Sequence, residues 1–116
     1  MSVLSISVVV PSANRNDAVA RYTELLGSDI VTEFELPGGS FTVTVLPGLS
    51  ILSGDEEDLY RVRDLRASLM VDSLVLTRER LERSGWSIDG TLGSPGSFLA
   101  RDTDGTLFEF VERTTL

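Results

Sequence analysis

The sequence predicts an α+β fold made of two consecutive βαβββ modules. Three observations support this prediction. A β-branched run near the N-terminus ends at a proline, an amphipathic helix with a glycine at its C-terminal end follows it, and the second half of the chain repeats the same order of elements. A single domain is expected, because 116 residues with 41% hydrophobic composition can bury a core without disulfides or metals.

The first module is predicted to span about residues 1–54. Residues 3–10 become continuously apolar and β-branched, which favours a buried strand that ends at Pro11. Asn14 is a candidate N-cap of a helix with apolar residues at helical spacing, and Gly27 stands where a C-terminal glycine is expected. The module then continues with three predicted strands, over residues 30–36, 41–46 and 49–53.

The second module is predicted over about residues 64–113, after a linker of about residues 55–63. The acidic run at 55–58 indicates a solvated segment between the halves. A strand over 65–71 is followed by a capping Asp72-Ser73 pair and by an amphipathic helix that ends at Ser84-Gly85. The strands predicted after this helix cover residues 86–92, 97–101 and 107–112.

Glu109 is the residue whose position most needs an explanation. The turn signal Asp104-Gly105 lies between two alternating runs and predicts a β-hairpin. On its second strand Glu109 shares one face with Leu107 and Val111, so a carboxylate stands in the middle of a mainly apolar face. Either this strand is half-solvated, or Glu109 points into a cavity that uses it.

Composition excludes several classes of chemistry. The chain has no cysteine, no histidine and no lysine, which rules out a thiolate nucleophile, an imidazole base, a Schiff-base lysine and a His/Cys metal site. A formal net charge of −8 opposes binding to nucleic acid, serves solubility and could attract a cationic ligand. No secretory signal is visible, so a cytoplasmic location is expected, with no nucleic acid or membrane partner.

Three motifs together resemble the vicinal-oxygen-chelate superfamily, which includes glyoxalase I, extradiol dioxygenases and bleomycin-resistance proteins. Residues 17–27 resemble the family's first helix with its Tyr-x-x-x-Leu-Gly end, residues 70–72 lead into the second helix, and residues 102–110 resemble the Asp-Pro-Asp-Gly-x-x-x-Glu hairpin. The resemblance covers nearly the whole chain. It implies paired βαβββ modules whose mixed sheets curl around a central cavity, commonly completed by a homodimer.

The resemblance also implies positions for metal ligands. Metal-dependent members hold a divalent ion with four side chains, usually two His and two Glu, from the first and last strands of each module. The corresponding residues here are Ser7, Arg66, Glu109 and either Ser50 or Leu52. Only Glu109 matches, and an arginine cation both repels a metal ion and lacks a lone pair. No metal and no other cofactor is therefore expected.

An Arg66–Glu109 ion pair is a hypothesis for the place where the metal would have been. Three outcomes remain open at the level of sequence. The pair could bind a ligand, it could be purely structural, or Arg66 could turn outward.

The resemblance implies a metal-free small-molecule binding protein of the bleomycin-resistance type, which would sequester an antibiotic or another cationic or aromatic compound. The expected ligand-binding residues are Ser7, Arg66, Glu109, Trp86, Tyr60 and Leu52. The alternative is a metal-free enzyme of the same fold, an isomerase, cyclase or lyase, with Glu109 as acid or base beside Arg66. A scaffold without a small ligand is a third possibility, because fold does not determine function.

Overall fold

The computed structural model describes residues 1–29, 31–93 and 96–113. Within these ranges the elements are β1 (Ser2–Pro11), a short 3-10 helix (Ser12–Asn14), α1 (Arg15–Leu26), β2 (Thr32–Glu35), β3 (Phe41–Leu46), β4 (Leu49–Gly54), α2 (Glu56–Leu59), β5 (Leu65–Val71), α3 (Leu74–Arg83), β6 (Ser87–Ile88), β7 (Ser97–Arg101) and β8 (Leu107–Glu112). This is an α+β fold of two βαβββ modules, as the sequence predicts.

All eight strands form one mixed sheet in the order β2-β3-β4-β1-β5-β8-β7-β6. Within each module the first and last strands pair in parallel, β1 with β4 and β5 with β8. The modules meet where β1 pairs antiparallel with β5. The two modules join edge to edge in a single sheet with β2 and β6 at its edges, because β1 pairs directly with β5.

Local signals in the sequence set the helix ends. Gly27 follows α1 in the left-handed conformation, with φ of 64°, and its N–H donates to the carbonyl of Glu24. The Oγ atom of Ser73 caps α3 by accepting a hydrogen bond from the backbone N–H of Leu76. Asn14 precedes α1 as predicted, but its side chain makes no capping hydrogen bond, because the chain already turns through the 3-10 helix there.

Three segments differ from the sequence prediction. The strand expected at 30–36 is limited to β2, and Ile30 lies outside the described residues. The strand expected at 86–92 is limited to the two residues of β6. Trp86 is not in it, because its backbone N–H donates to the carbonyl of Leu81 at the end of α3. The acidic linker contains the helix α2, whose last residue, Leu59, is buried.

The β7–β8 hairpin is confirmed, with a loop over residues 102–106. Asp102 organises this loop. Its Oδ1 atom accepts hydrogen bonds from the backbone N–H groups of Asp104 and Thr106, each at 2.9 Å, and its own N–H donates to the carbonyl of Thr106. The loop is longer than the two-residue turn that Asp104-Gly105 indicated, and the Asp102 carboxylate bonds two of its backbone N–H groups.

The two faces of the sheet have different coverings. On the helix face, α1 packs over Val8 and Val10, and α3 packs over Phe110. The other face, called the cavity face below, is the one toward which Ser68 and Glu109 point. Its apolar cluster includes Leu59 and Val62 from the linker, together with Leu36, Phe41, Leu52, Leu65, Leu92, Leu99 and Leu107.

Candidate functional site

A cavity of about 400 Å³ lies on the cavity face where the two modules meet. Its volume falls within the range of about 300–1,000 Å³ that is typical of small-molecule sites. Most of the wall is aliphatic, and the polar side chains in it are serines and one carboxyl group. The lining residues are Leu4, Ser5, Ser7, Phe34, Leu36, Val43, Val45, Leu46, Gly48, Ser50, Leu52, Leu65, Ser68, Leu92, Ser97, Glu109 and Val111.

Strand register brings the central polar residues together. Ser5 on β1 is the direct cross-strand partner of Ser68 on β5, and Ser68 is in turn the partner of Glu109 on β8. Directly opposite residues on paired strands point to the same face of a sheet. Three neighbouring strands from two modules therefore place one polar side chain each at the same level of the cavity.

Hydrogen bonds divide the polar side chains into two groups. The Oγ atom of Ser68 donates to Oε1 of Glu109 at 2.8 Å, and the side chain of Ser97 also hydrogen-bonds the Glu109 carboxyl group. The second group is a pair of hydroxyls, in which Oγ of Ser50 lies 2.9 Å from Oγ of Ser5. Ser5 and Ser68 are buried, so both groups lie inside the wall of the cavity.

The environment of Glu109 favours the protonated form of its carboxyl group. Burial raises the pKa of Glu109, because an apolar wall disfavours the carboxylate, and the hydrogen bonds from Ser68 and Ser97 oppose this shift only in part. None of the described lining residues carries a positive charge that could stabilise the carboxylate. The site therefore contains a half-buried acid for which the described lining residues provide no counter-charge.

One side of the cavity is closed by a close contact between the modules. Leu36, beside the β2–β3 turn, and Leu92, in the loop before β7, are both buried and pack in the same apolar cluster. At Gly93 the two backbones approach so closely that a Cβ atom would lie 2.9 Å from the carbonyl oxygen of Pro37. The loop of the second module therefore covers the cavity only because residue 93 has no side chain.

The structure places Ser7, Leu52 and Glu109 in the cavity wall, where the sequence expected ligand-binding residues. Ser50 and Leu52 were alternatives for one position, and both line the cavity, because they stand two residues apart on β4.

Arg66 does not pair with Glu109, which corrects the hypothesis of an ion pair. Its side chain is exposed and lies outside the cavity lining, whereas the partner of Glu109 is Ser68. The register of β5 against β8 shifts between Leu65 and Ala67, so Arg66 has no cross-strand partner on β8. This irregularity takes Arg66 out of the alternation that points Ser68 toward the cavity.

Trp86 and Tyr60 lie outside the lining of this cavity, so their expected contact with a ligand stays a prediction. Trp86 packs on the helix face, with ring centroids 6.0 Å from Phe108 and 5.8 Å from Phe110. Tyr60 is 84% exposed at the end of α2 in the linker. Tyr60 follows the acidic run of the linker, and no linker residue from 55 to 63 is among the described residues that line the cavity.

Sequence reasoning missed Ser5, Ser68 and Ser97 as site residues. The sequence indicated Ser68 in part. Ser68 stands two residues after Arg66 on the same predicted strand, so the two side chains are expected on the same face. Which of the two lies opposite Glu109 depends on the register between β5 and β8, and alternation alone does not fix register.

The donor set of the cavity does not fit a divalent metal ion. Its oxygen donors are neutral serine hydroxyls and a single carboxyl group, whereas such ions select several carboxylates or imidazoles. Within the described ranges no three His, Cys, Asp or Glu side chains come together as a metal site. Ser50 also hydrogen-bonds Ser5, and Ser68 hydrogen-bonds Glu109, so these oxygens already have partners within the protein.

No protein-family model matches the sequence, and no curated protein sequence matches it. Solved structures do match over nearly the whole chain. An uncharacterized protein from Methanosarcina mazei has a TM-score of 0.77 and 28% identity, with 100% of this chain and 97% of that one covered. Methylmalonyl-CoA epimerase from Mycobacterium tuberculosis has a TM-score of 0.64 and 19% identity, with coverage of 99% and 94%.

A third match is a glyoxalase/bleomycin resistance protein/dioxygenase superfamily member from Vibrio splendidus, with a TM-score of 0.53, 15% identity and coverage of 93% and 95%. At sequence identities this low, a structural match shows a similar fold and not a similar active site. The three matches therefore describe the architecture of the chain. None of the helices in the described ranges has the length and apolar composition that a membrane crossing needs.

Proposed function

We propose that this chain, which has the vicinal-oxygen-chelate fold that its motifs predicted, binds a small molecule in the cavity without the help of a metal ion. The fold is supported by the structural matches. The proposal for function depends on one observation, which is the composition of the cavity wall. A mainly aliphatic cavity of about 400 Å³ with two small groups of polar side chains in its wall is suited to a drug-sized ligand.

The charge of the wall defines the class of ligand. Glu109 has hydroxyl neighbours, and none of the described residues that line the cavity is a cation, so an anionic ligand would meet an uncompensated acid. A ligand with an ammonium group or another strong hydrogen-bond donor would supply the missing partner. The net charge of −8 adds long-range attraction for cations. The proposed ligand is therefore an apolar or aromatic body with a single cationic or donor group, and sequestration of an antibiotic of this kind is one such role.

The experiment is a series of thermal unfolding curves with one aromatic body and three charges: 4-phenylbutylamine, 4-phenylbutanol and 4-phenylbutyrate. A ligand at about one hundred times its dissociation constant adds about 2.7 kcal/mol, which raises the midpoint by several degrees for a domain of this size. The amine should give the largest shift and the carboxylate none. In Glu109→Gln, the amine should no longer raise the unfolding midpoint more than the alcohol does. In Glu79→Gln, which changes an exposed residue of α3, the amine should still give the larger shift.

Two results would contradict the proposal. Equal shifts for all three compounds in the wild-type protein would show that Glu109 does not select the ligand. A shift produced by Mn²⁺, Zn²⁺ or Ni²⁺ alone, and lost in Glu109→Gln, would show that the site is a metal centre despite its serine donors.

A second candidate function is metal-free acid–base catalysis by Glu109. The observation that favours it is the raised pKa of this carboxyl group, which brings its protonation equilibrium closer to neutral pH. The hydroxyls of Ser68 and Ser97, rather than Arg66, would then be the neighbouring donors. Deuterium incorporation from D2O into a bound carbonyl compound, abolished in Glu109→Gln and retained in Glu79→Gln, would distinguish this activity from simple binding.

A further inference from the structure

A β-bulge in β1 places a serine hydroxyl opposite Ser68 in the cavity. Val3 pairs with Leu69 of β5. In a regular antiparallel ladder Leu4 would come next, opposite Ser68. The register shifts at this point instead, and the partner of Ser68 is Ser5. Bulges re-aim side chains and are frequent beside functional sites. This one exchanges an apolar side chain for a hydroxyl at the level of Ser68.

The Ser5–Ser50 pair retains one hydroxyl hydrogen without an acceptor among the described residues. Oγ of Ser50 donates to Oγ of Ser5 at 2.9 Å, and within the described ranges neither hydroxyl makes another hydrogen bond. Two hydroxyls carry two hydrogens and share one bond, so one hydrogen stays free whichever of them donates. Ser5 is buried, and both serines line the cavity. A buried donor of this kind requires an acceptor, which a molecule in the cavity can supply.

The neighbouring polar group has the opposite character. The carboxylate of Glu109 has about four acceptor positions, and the hydroxyls of Ser68 and Ser97 use only part of this capacity. The hydroxyl hydrogen of Ser68 is already used in the bond to Oε1 of Glu109. The wall therefore presents a free donor at the serine pair and a free acceptor at Glu109.

The spacing of the two groups determines what can bridge them. Ser5 and Ser68 are direct cross-strand partners, whose side chains stand about 5 Å apart. This gap is longer than the hydrogen bond of about 2.8 Å that joins two hydroxyls. A ligand group that donates on one side and accepts on the other, from neighbouring carbon atoms, fits the gap.

We propose that the cavity selects ligands that carry a hydrogen-bond acceptor on the carbon next to their cationic group, as in a 2-amino alcohol. This inference rests on the proposed function and defines the ligand class further. The ammonium group binds Glu109, and the neighbouring oxygen accepts the free hydrogen of the Ser5–Ser50 pair. A ligand with an amine alone would cover this hydrogen with apolar surface and leave it unpaired, which disfavours binding.

The test compares two isomers by isothermal titration calorimetry of the full chain at neutral pH. In 1-amino-4-phenylbutan-2-ol the hydroxyl stands next to the amine, whereas in 4-amino-1-phenylbutan-1-ol it stands next to the phenyl ring. The isomers have the same charge and the same groups, so they differ only in the position of the hydroxyl. The tighter enantiomer of the first should have a dissociation constant roughly 5-fold lower than the tighter enantiomer of the second, which is the effect of one neutral hydrogen bond.

Three variants assign this preference to its residues. The double variant Ser5→Ala/Ser50→Ala removes both hydroxyls of the pair, leaves neither unpaired, and should make the two dissociation constants equal. Ser53→Ala should keep the preference. It is the matched control, because Ser53 is a buried serine on the same strand as Ser50 but lies outside the cavity lining. Glu109→Gln should weaken the binding of both isomers, since both carry the amine.

The outcomes separate this inference from the proposed function. Equal dissociation constants for the two isomers in the wild-type protein, both raised in Glu109→Gln, would overturn the inference and leave the proposed function intact. A preference that persists in the double variant would also overturn it. Isomers that do not bind, or that bind Glu109→Gln as tightly as the wild type, would contradict the proposed function and this inference with it. The comparison of isomers needs no substitution, so it decides the question even if the double variant does not fold.

Discussion

Ser68 and Glu109 are direct cross-strand partners on the parallel strands β5 and β8, and Oγ of Ser68 donates a hydrogen bond of 2.8 Å to Oε1 of Glu109. This contact holds the only acidic side chain in the described lining of the cavity, and its partner is a neutral hydroxyl.

Glu109→Gln should stabilise the protein at neutral pH by roughly 0.5–2 kcal/mol, because it replaces a partly desolvated carboxylate with a neutral amide. The pKa of Glu109 is raised by burial. The stabilisation that comes from keeping Glu109 protonated in the fold is therefore fully present below the ordinary pKa of a glutamate. It is lost as the pH rises through the raised pKa of Glu109 in the folded protein. The free energy of unfolding of Glu109→Gln should be close to that of the wild-type protein in acid and should exceed it increasingly as the pH rises. Urea unfolding across a pH series measures this difference.

Glu79→Gln is the matched control for this series, since Glu79 is exposed on α3. A Glu109→Gln difference that does not depend on pH would contradict the prediction, because the titration of Glu109 would then contribute nothing to stability.

Ser68→Ala should lower the free energy of unfolding at neutral pH by roughly 1–2 kcal/mol, because a half-buried carboxylate loses a hydrogen-bond donor. It should also raise the pKa of Glu109 further, since the hydrogen bond from Ser68 now lowers it. Carbon-13 NMR titration of the glutamate carboxyl groups measures this shift. Ser7→Ala is the control within the same wall, and an equal pKa change in both variants would refute a specific role for Ser68.

Arg101→Ala should destabilise the protein by about 1–2 kcal/mol, a value discounted for the partial exposure of the ion pair. Arg101 binds Asp64 through Nη1 at 2.7 Å, approaches Asp89 at 3.3 Å and donates to the carbonyls of Gly105 and Arg61. It thereby ties the β7–β8 hairpin to the segment before β5. Arg66→Ala removes an exposed arginine from the same half of the chain and should change stability by less than about 0.5 kcal/mol.

The Arg101–Asp64 contact also has a pH signature. The hydrogen bond from Arg101 lowers the pKa of Asp64, so this stabilisation is present above the ordinary pKa of 3.8 and is lost as the pH falls through the lowered pKa. The wild-type protein should have a higher free energy of unfolding than Arg101→Ala, as measured by urea unfolding, and this difference should shrink only in strong acid. An advantage that stays constant through that range would contradict this assignment.

Gly93→Ala should destabilise the protein by roughly 1–3 kcal/mol and loosen the cover of the cavity. A Cβ atom at Gly93 would lie 2.9 Å from the Pro37 carbonyl oxygen, and φ is +101° there. Gly38→Ala is a matched control, with φ of +97° but no atom within 4 Å of an added Cβ. Both variants carry the backbone strain, so the difference between their urea midpoints isolates the close approach. Equal losses would show that the approach of the two backbones is not tight.

The sequence by itself determined the order of the elements and the approximate place of the site. The β-branched run before Pro11, the glycine after α1 and the serine cap of α3 act through neighbouring residues, and these signals set the ends of strands and helices. Alternation along β8 likewise placed Glu109 on a face with Leu107 and Val111. Such periodicities depend only on local backbone geometry.

Only the tertiary structure decided what stands beside Glu109. Ser5, Ser68 and Glu109 come from three strands that are far apart in sequence, and their alignment depends on the register of β1 with β5 and of β5 with β8. The irregularity at Arg66 turned the expected cation away from the cavity, and packing under α3 kept Trp86 on the opposite face. Local periodicity leaves register open by steps of two residues, so long-range pairing, and not propensity, gave the cavity its serine and carboxyl wall.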